Sequence, residues 1–187
     1  MIKKEIRVIG IDDSPFNKFR EEETLAIGVV MRGGKSIDGI LSTKVGVDGD
    51  NATARLVEMI NKSKFKLQLR CIFLDGIALA GFNVIDIREL NKKTGIPVVT
   101  IIRRKPDVAR IKEVLNKLNQ KEKIVLLDKA GAVIKIGEIY VQPIGISIER
   151  LKEILKLVCT RSFIPEPIRL AHLIASGIAF GESRGRA

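Results

Sequence analysis

Two apolar runs in this chain end on carboxylates: Val8 to Ile11 stops at Asp12 and Asp13, and Cys71 to Leu74 stops at Asp75. Both runs are short and bulky, the pattern of a buried strand. Each delivers an acid at its carboxyl end, the edge of an open α/β sheet where ligands and reacting groups gather. Carboxylates brought side by side raise one another's pKa unless a cation shares them. Mg²⁺ or Mn²⁺ resolves that conflict, and a dication so held activates water and neutralises the charge of a phosphate. The alternative is that each Asp caps a following turn or helix through backbone N–H groups. Side chains alternate along a strand, so Asp12 and Asp13 point to opposite faces and cannot both reach one ion. Ser14-Pro15 favours a turn just beyond them, which makes Asp12 the preferred ligand.

Other polar side chains bear on the same edge. Arg103, Arg104 and Lys105 follow the apolar run Ile96 to Ile102. They end a strand beside Asp75 and can clamp a phosphate by bidentate hydrogen bonds, although a charge run is also the usual make-up of a solvated loop. Asp48 and Asp50 flank Gly49 ahead of a helix. Either one, Asp50 first, is the candidate to complete a metal-binding acidic cluster, with Asn51 as a neutral substitute; turn former and N-cap are the plainer roles. His172, the one histidine, lies in a helix among Leu170, Leu173 and Ile174, where a packed or surface residue is a simpler expectation than a catalyst. Glu166 and Arg169, at the start of that helix, are expected to pair. Asn83 and Asp86 would share one face of the helix expected after Asp75.

Strands and crossovers must carry these residues. Residues 5–11 read as the first strand, and 23–31 and 37–45 as two more joined at Gly33-Gly34, a hairpin signal. A loop at 46–50 leads into a helix with Ala52, Leu56, Met59 and Ile60 on one face. The strand ending at Asp75, a helix from about 81 to 94 and the strand at 96–102 then make parallel βαβ units. Pro106-Asp107 opens a helix with the stripe Val108, Ile111, Leu115 and Leu118. Ile124 to Leu127 and Val133 to Val141 read as a further hairpin. Two helices follow, 147–160 capped by Ser147, and 166 to about 180 opened by Pro165-Glu166-Pro167. The expected fold is α/β, a mixed sheet of an antiparallel trio followed by parallel units, with helices on both faces. A first-strand Asp beside a fourth-strand Asp is the layout of ribonuclease H-like nucleases.

With 187 residues, a single domain spanning 1–187 is expected, large enough to bury roughly 70% of its unfolded surface. The two cysteines suit buried thiols rather than a disulfide framework. No apolar run approaches the ~20 residues of a membrane-spanning helix, and the chain opens on a strand rather than a signal-peptide core. A cytoplasmic protein without a membrane partner is therefore expected. Lys+Arg 33 against Asp+Glu 22 gives a net charge of +11, a field that draws polyanions, nucleic acid first among them. One Tyr and no Trp speak against a broad stacking platform and for phosphate contacts.

Four segments resemble endonuclease V and especially an uncharacterised protein family related to it: GIDDSPF at 10–16, LDGIALAGFNVIDI at 74–87, TGIPVVTIIRRKP at 94–106 and PEPIRLAHLIASGIAFGESRGRA at 165–187. The resemblance implies a ribonuclease H-like fold, Mg²⁺ or Mn²⁺, and cleavage of a phosphodiester near a deaminated purine in DNA or RNA. It further implies that Asp12 is the first-strand metal ligand and Asp75 the aspartate of the Asp-Gly pair. Arg103 stands where the family has a Lys acting near the scissile phosphate. Three features depart from the family. Its Glu within Phe-Arg-Glu is replaced by VGVDGDNATAR at 45–55, its Tyr-x-Pro-Gly wedge has no counterpart in Thr43-Lys44-Val45-Gly46, and Gly145-Ile146 stands in place of its Pro-Gly-His. The expected function is a nucleic-acid-binding protein and candidate metal-dependent endonuclease. An inactive binding module of the same fold, or a small-molecule or nucleotide-binding α/β protein, are the alternatives.

Overall fold

A computed structural model describes residues 5–185; Arg186 and Ala187 lie outside the described residues. Three consecutive strands, β1 (Arg7–Asp13), β2 (Glu23–Arg32) and β3 (Ser36–Gly46), form an antiparallel trio. The β2–β3 turn contains Gly33 at φ 58°, left-handed backbone that glycine adopts without a Cβ clash. α1 (Ala52–Asn61) crosses to β4 (Leu69–Asp75), which runs parallel to β1. A small ribbon, β5 (Ala78–Leu79) and β6 (Asn83–Val84), precedes α2 (Ile87–Thr94), which crosses to β7 (Val98–Ile102), parallel to β4. Then come α3 (Val108–Lys117), α4 (Lys121–Lys129), the antiparallel pair β8 (Ile134–Ile136) and β9 (Ile139–Ile144), α5 (Ile148–Val158) and α6 (Glu166–Phe180). The seven-stranded sheet has the order β3-β2-β1-β4-β7-β9-β8.

Both faces of the central strands are covered, which is why those strands read as continuous apolar runs rather than as alternation. Ile9, Ile11, Ile72 and Leu74 pack against Leu56 and Ile60 of α1 and Ile87 and Leu90 of α2. Their neighbours Val8, Cys71, Phe73 and Val99 face the other way, onto Leu151 and Ile154 of α5 and Ile168 of α6. Each such buried aliphatic side chain contributes about 1.5–3 kcal/mol. Among the described residues no helix is long and apolar enough to cross a membrane.

Two elements differ from the sequence expectation. The helix after Asp75 starts at Ile87, not near 81, because Asp86 caps it by accepting from the Arg88 and Glu89 N–H groups. Asn83 is therefore in β6, not on a helix face with Asp86. Its buried amide accepts from Ala52 N–H and donates to the Gly46 carbonyl, fastening the loop before α1. Ile124 to Leu127 belongs to α4 rather than to a strand; a four-residue apolar run is ambiguous, and the charged residues on either side extend it into a helix. The hairpin turns instead at Gly137, φ 58°. In α3 the apolar stripe is only partly used, since Leu115 is buried and Leu118 is exposed.

Candidate active site

Strand register sets the site. Ile11 pairs with Leu74 across the parallel β1–β4 ladder, so the next residues, Asp12 and Asp75, sit side by side on strands about 4.8 Å apart. Residues of matching register share a face. Asp12 follows Val8 and Gly10, and Asp75 follows Cys71 and Phe73, on the side of the sheet that α6 covers. Asp13 points the other way, as its neighbour's alternation requires, and its Oδ2 accepts from Ala80 N–H at 3.0 Å.

α6 runs along β1 at unusually close range, and Gly10 permits it. A Cβ on Gly10 would lie 2.3 Å from the Ile168 nitrogen and 2.4 Å from the Pro167 carbonyl carbon, backbone atoms that cannot move aside. One turn further along, the His172 Nδ1 lies 2.9 Å from Asp12 Oδ2; one turn beyond that, Ser14 Oγ donates to the Ala175 carbonyl at 2.9 Å. The start of α6 is braced by Arg169, which donates from Nε and Nη2 to the buried Glu166 carboxylate. The expectation for His172 is a packed or surface residue, yet it joins the acidic pair. When Asp12 is ionised it can only accept, so Nδ1 is then the donor of this hydrogen bond. Nε2 is buried and has no hydrogen-bond partner among the described residues. The segment after α6 returns over this ring, with Ser183 Oγ donating to the Leu173 carbonyl and Arg184 N–H to Ser176 Oγ. A Cβ added to Gly185 would stand 3.6 Å from Nε2.

The electrostatics follow from this crowding. Burial first, then the charges of Asp75 and Asp13, push the Asp12 carboxyl up from 3.8 to about 7, against the pull of the His172 hydrogen bond and the Asp13 N–H. Asp13 is also raised, mainly by burial, with the Ala80 N–H acting the other way. Asp75 meets a cation instead: Arg103 Nη2 lies 3.3 Å from its Oδ2, where the chain leaves β7 on the same edge. Arg104 and Lys105 follow, exposed.

The loop before α1 is placed differently. The charges that act most on Asp12 are those of Asp75 and Asp13. Asp50 is exposed, and its charge acts on Lys123 of α4. Asp48, at φ 52°, accepts from Phe82 N–H with its side chain and from Lys123 Nζ with its carbonyl, while its own N–H donates to Ala80, itself at φ 47°. Asp13, Ala80, Asp48 and Lys123 thus form one chain of contacts behind the site, holding two strained residues at roughly 1–3 kcal/mol each. Asp48 thus fastens the loop before α1 to Phe82 and to Lys123 of α4.

Among the described residues, no three or more His, Cys, Asp or Glu side chains form a ready metal cage. What is present is a partial set: Asp12, its carboxyl pushed up by burial and its acidic neighbours, with Asp75 beside it. Such a pair fits a hard dication of the Mg²⁺ type, which keeps several waters and takes one or two protein carboxylates with phosphate oxygens.

A model of the family described as endonuclease dU matches residues 4–179. The chain is 47% identical over 191 residues to a UPF0215 protein of Methanothermobacter thermautotrophicus, covering 100% of this chain and 94% of that one. Among solved structures, a protein of unknown function from Archaeoglobus fulgidus is similar with a TM-score of 0.86 and 38% identity, over 92% of this chain and 97% of that chain. Endonuclease V of Ciona intestinalis, in complex with a 24mer DNA containing an inosine followed by a ribo-adenosine, is similar with a TM-score of 0.55 and 19% identity, over 88% of this chain and 82% of that chain. The last likeness establishes the ribonuclease H-like fold alone.

Proposed function

The chain belongs to the endonuclease dU family, and from that premise we propose that it is a divalent-metal-dependent phosphodiesterase that cuts nucleic acid near a deaminated base. The observation that carries this is the meeting of Asp12, Asp75, His172 and Arg103 at one sheet edge. Asp12 and Asp75 would hold Mg²⁺ or Mn²⁺, which when bound supplies Lewis-acid activation of water and neutralisation of phosphate charge. Arg103, only loosely engaged with Asp75, turns its guanidinium to the phosphate and bears charge as the transition state forms. His172, hydrogen-bonded to Asp12 through Nδ1, would hold that carboxylate turned toward the metal. The net charge of +11 brings the polyanion to this edge. The family description puts deoxyuridine first among bases to try, and the endonuclease V likeness adds inosine.

The test is cleavage of otherwise identical DNA and RNA oligonucleotides carrying deoxyuridine, inosine or neither, with Mn²⁺ or Mg²⁺, by the wild type and by Asp12→Ala and Asp75→Ala. Cleavage by the wild type and loss in both variants is expected; cleavage that survives both removes the assignment. The incomplete ligand set favours one rival, a nucleic-acid-binding module without turnover. Salt-sensitive binding with no product under any metal would select it.

A further inference from the structure

The two edges of the seven-stranded sheet are unlike. At one, β8 is only three residues long, too short to offer another strand a ladder. At the other, β3 has eleven residues and no proline, and past a bulge near Asp38 its pairing with β2 runs unbroken from Gly39 to Gly46. The end of β3 shows which backbone groups are open. Val47 N–H donates across to the Glu22 carbonyl, whereas Gly46 N–H donates to Asn51 Oδ1 and the Gly46 carbonyl accepts from Asn83, both away from β2. Backbone groups alternate along an antiparallel ladder, so Ile40, Ser42 and Lys44 turn their N–H and C=O outward. No loop of the described residues bonds to them. Their side chains lie on the α6 face, because Ile40 and Ser42 stand opposite Val29 and Ile27, which pack with Ala171 and Ala175. α6 covers β1 and β2 but not β3, and Ile37 and Ile40 are left 51% and 53% exposed.

We propose that the outer edge of β3 is the interface with a second copy of this chain, the two β3 strands pairing antiparallel about a dyad at Ser42. That register sets Ser42 against itself and Ile40 against Lys44 of the second copy, and every outward N–H and C=O is paired. A dyad at Leu41 would put Lys44 against the bulge, and one at Thr43 would put Ile40 against Gly46, whose groups are already taken. Charge agrees with the same choice. Lys44 faces an isoleucine rather than another lysine, and the exposed Asp50 beyond one end of β3 comes to the end where the exposed Lys35 of the second copy precedes its strand. A strand complementary to itself in both hydrogen bonds and charge gives a closed, two-fold contact, which an unrelated strand has no reason to match. The dyad stands normal to the sheet, so both α6 helices lie on one face. Phe180, half-exposed and in one cavity wall with Lys44, then meets Ile40 of the second copy. The two Asp12–Asp75 edges point in opposite directions.

Sedimentation equilibrium over a dilution series should give the wild type twice the mass of one chain. Ser42→Pro removes an outward N–H that the monomer does not use, a change an edge strand tolerates, and should give the mass of one chain. Ile40→Lys sets lysines opposite each other on an exposed face and should do the same, with circular dichroism showing both variants folded. The register is read by cross-linking in a Cys159→Ser background, the other cysteine, Cys71, being buried. Directly opposed residues stand about 5.5 Å apart at Cα, within disulfide reach, so Ser42→Cys should give a covalent dimer under mild oxidation. Ile40→Cys, roughly 14 Å from its counterpart along the strands, should not. A wild type with the mass of one chain overturns the interface and leaves the edge to an extended strand of another protein. A dimer that persists in either folded variant, or that links through Ile40→Cys and not Ser42→Cys, overturns it as well.

Discussion

Removing the negative charge of Asp12 should stabilise the metal-free protein, by an amount that depends on pH. Asp12 is 6% exposed, and its carboxyl is pushed from 3.8 to about 7 by burial and by Asp75 and Asp13. Between those two values the folded chain holds a proton that the unfolded chain has released. Stability from this group is therefore fully present below about pH 4 and lost as pH rises through about 7. At about 1.4 kcal/mol per pH unit the whole effect is about 4 kcal/mol, an order-of-magnitude figure. Asp12→Asn cannot ionise and escapes the loss. At pH 8 it should be the more stable protein, by roughly 10 °C in melting temperature for a chain of this size, while at pH 4.5, just above the unfolded value, the gap should shrink to about a quarter of that.

The assay is thermal melting by circular dichroism in EDTA at pH 4.5, 6 and 8. The variant serves as the reference that removes the titration of every other acid. Adding Mg²⁺ at pH 8 should restore much of the wild type's deficit and do little for Asp12→Asn. An Asp12→Asn protein no more stable than wild type at pH 8, or equally more stable at every pH, would refute the crowding of carboxylates from which the site is built.

Three further outcomes are expected. Gly10→Ala puts a methyl group against the backbone of Pro167 and Ile168, so it should cost about 1–3 kcal/mol or more; it should also move the ring signal of His172, unique in the proton spectrum, whereas an unmoved signal would mean α6 is not seated through Gly10. Arg103→Ala should lower kcat on a cleavable oligonucleotide by about 10²–10³, the scale for losing one charge-stabilising donor, with Arg103→Lys recovering part of it; equal rates in all three would remove Arg103 from the reaction. A chain ending at Gly181 should uncover His172 Nε2, seen as faster carbethoxylation of the single histidine by diethyl pyrocarbonate; an unchanged rate would show that residues 182–185 do not shield it.

The strand-end acids were legible because their signals are local. A bulky run that stops at Asp states both a strand and its end, and the two-residue period alone assigns Asp12 and Asp13 to opposite faces. The antiparallel trio, the parallel crossovers and the Ser147 cap are local patterns too, and the structure has all of them. His172 was not legible in this way. Its partner Asp12 is 160 positions distant, and its helix neighbours are apolar, so nothing nearby marks it. The one available signal was its place in a segment of the resemblance, 165–187. The late start of α2 could have been read from Asp86 standing three residues before Glu89, a capping pattern. The roles of Asp48 and Ala80 depend on backbone conformations and long-range contacts that residue types do not announce.

The proposed dication between Asp12 and Asp75 is best tested by anomalous scattering from a crystal grown with Mn²⁺ near pH 8. One manganese peak bonded to carboxylate oxygens of both residues is the expected result, with Arg103 drawn off Asp75. A peak elsewhere on the molecule, or one that touches neither aspartate, would contradict the site at its foundation.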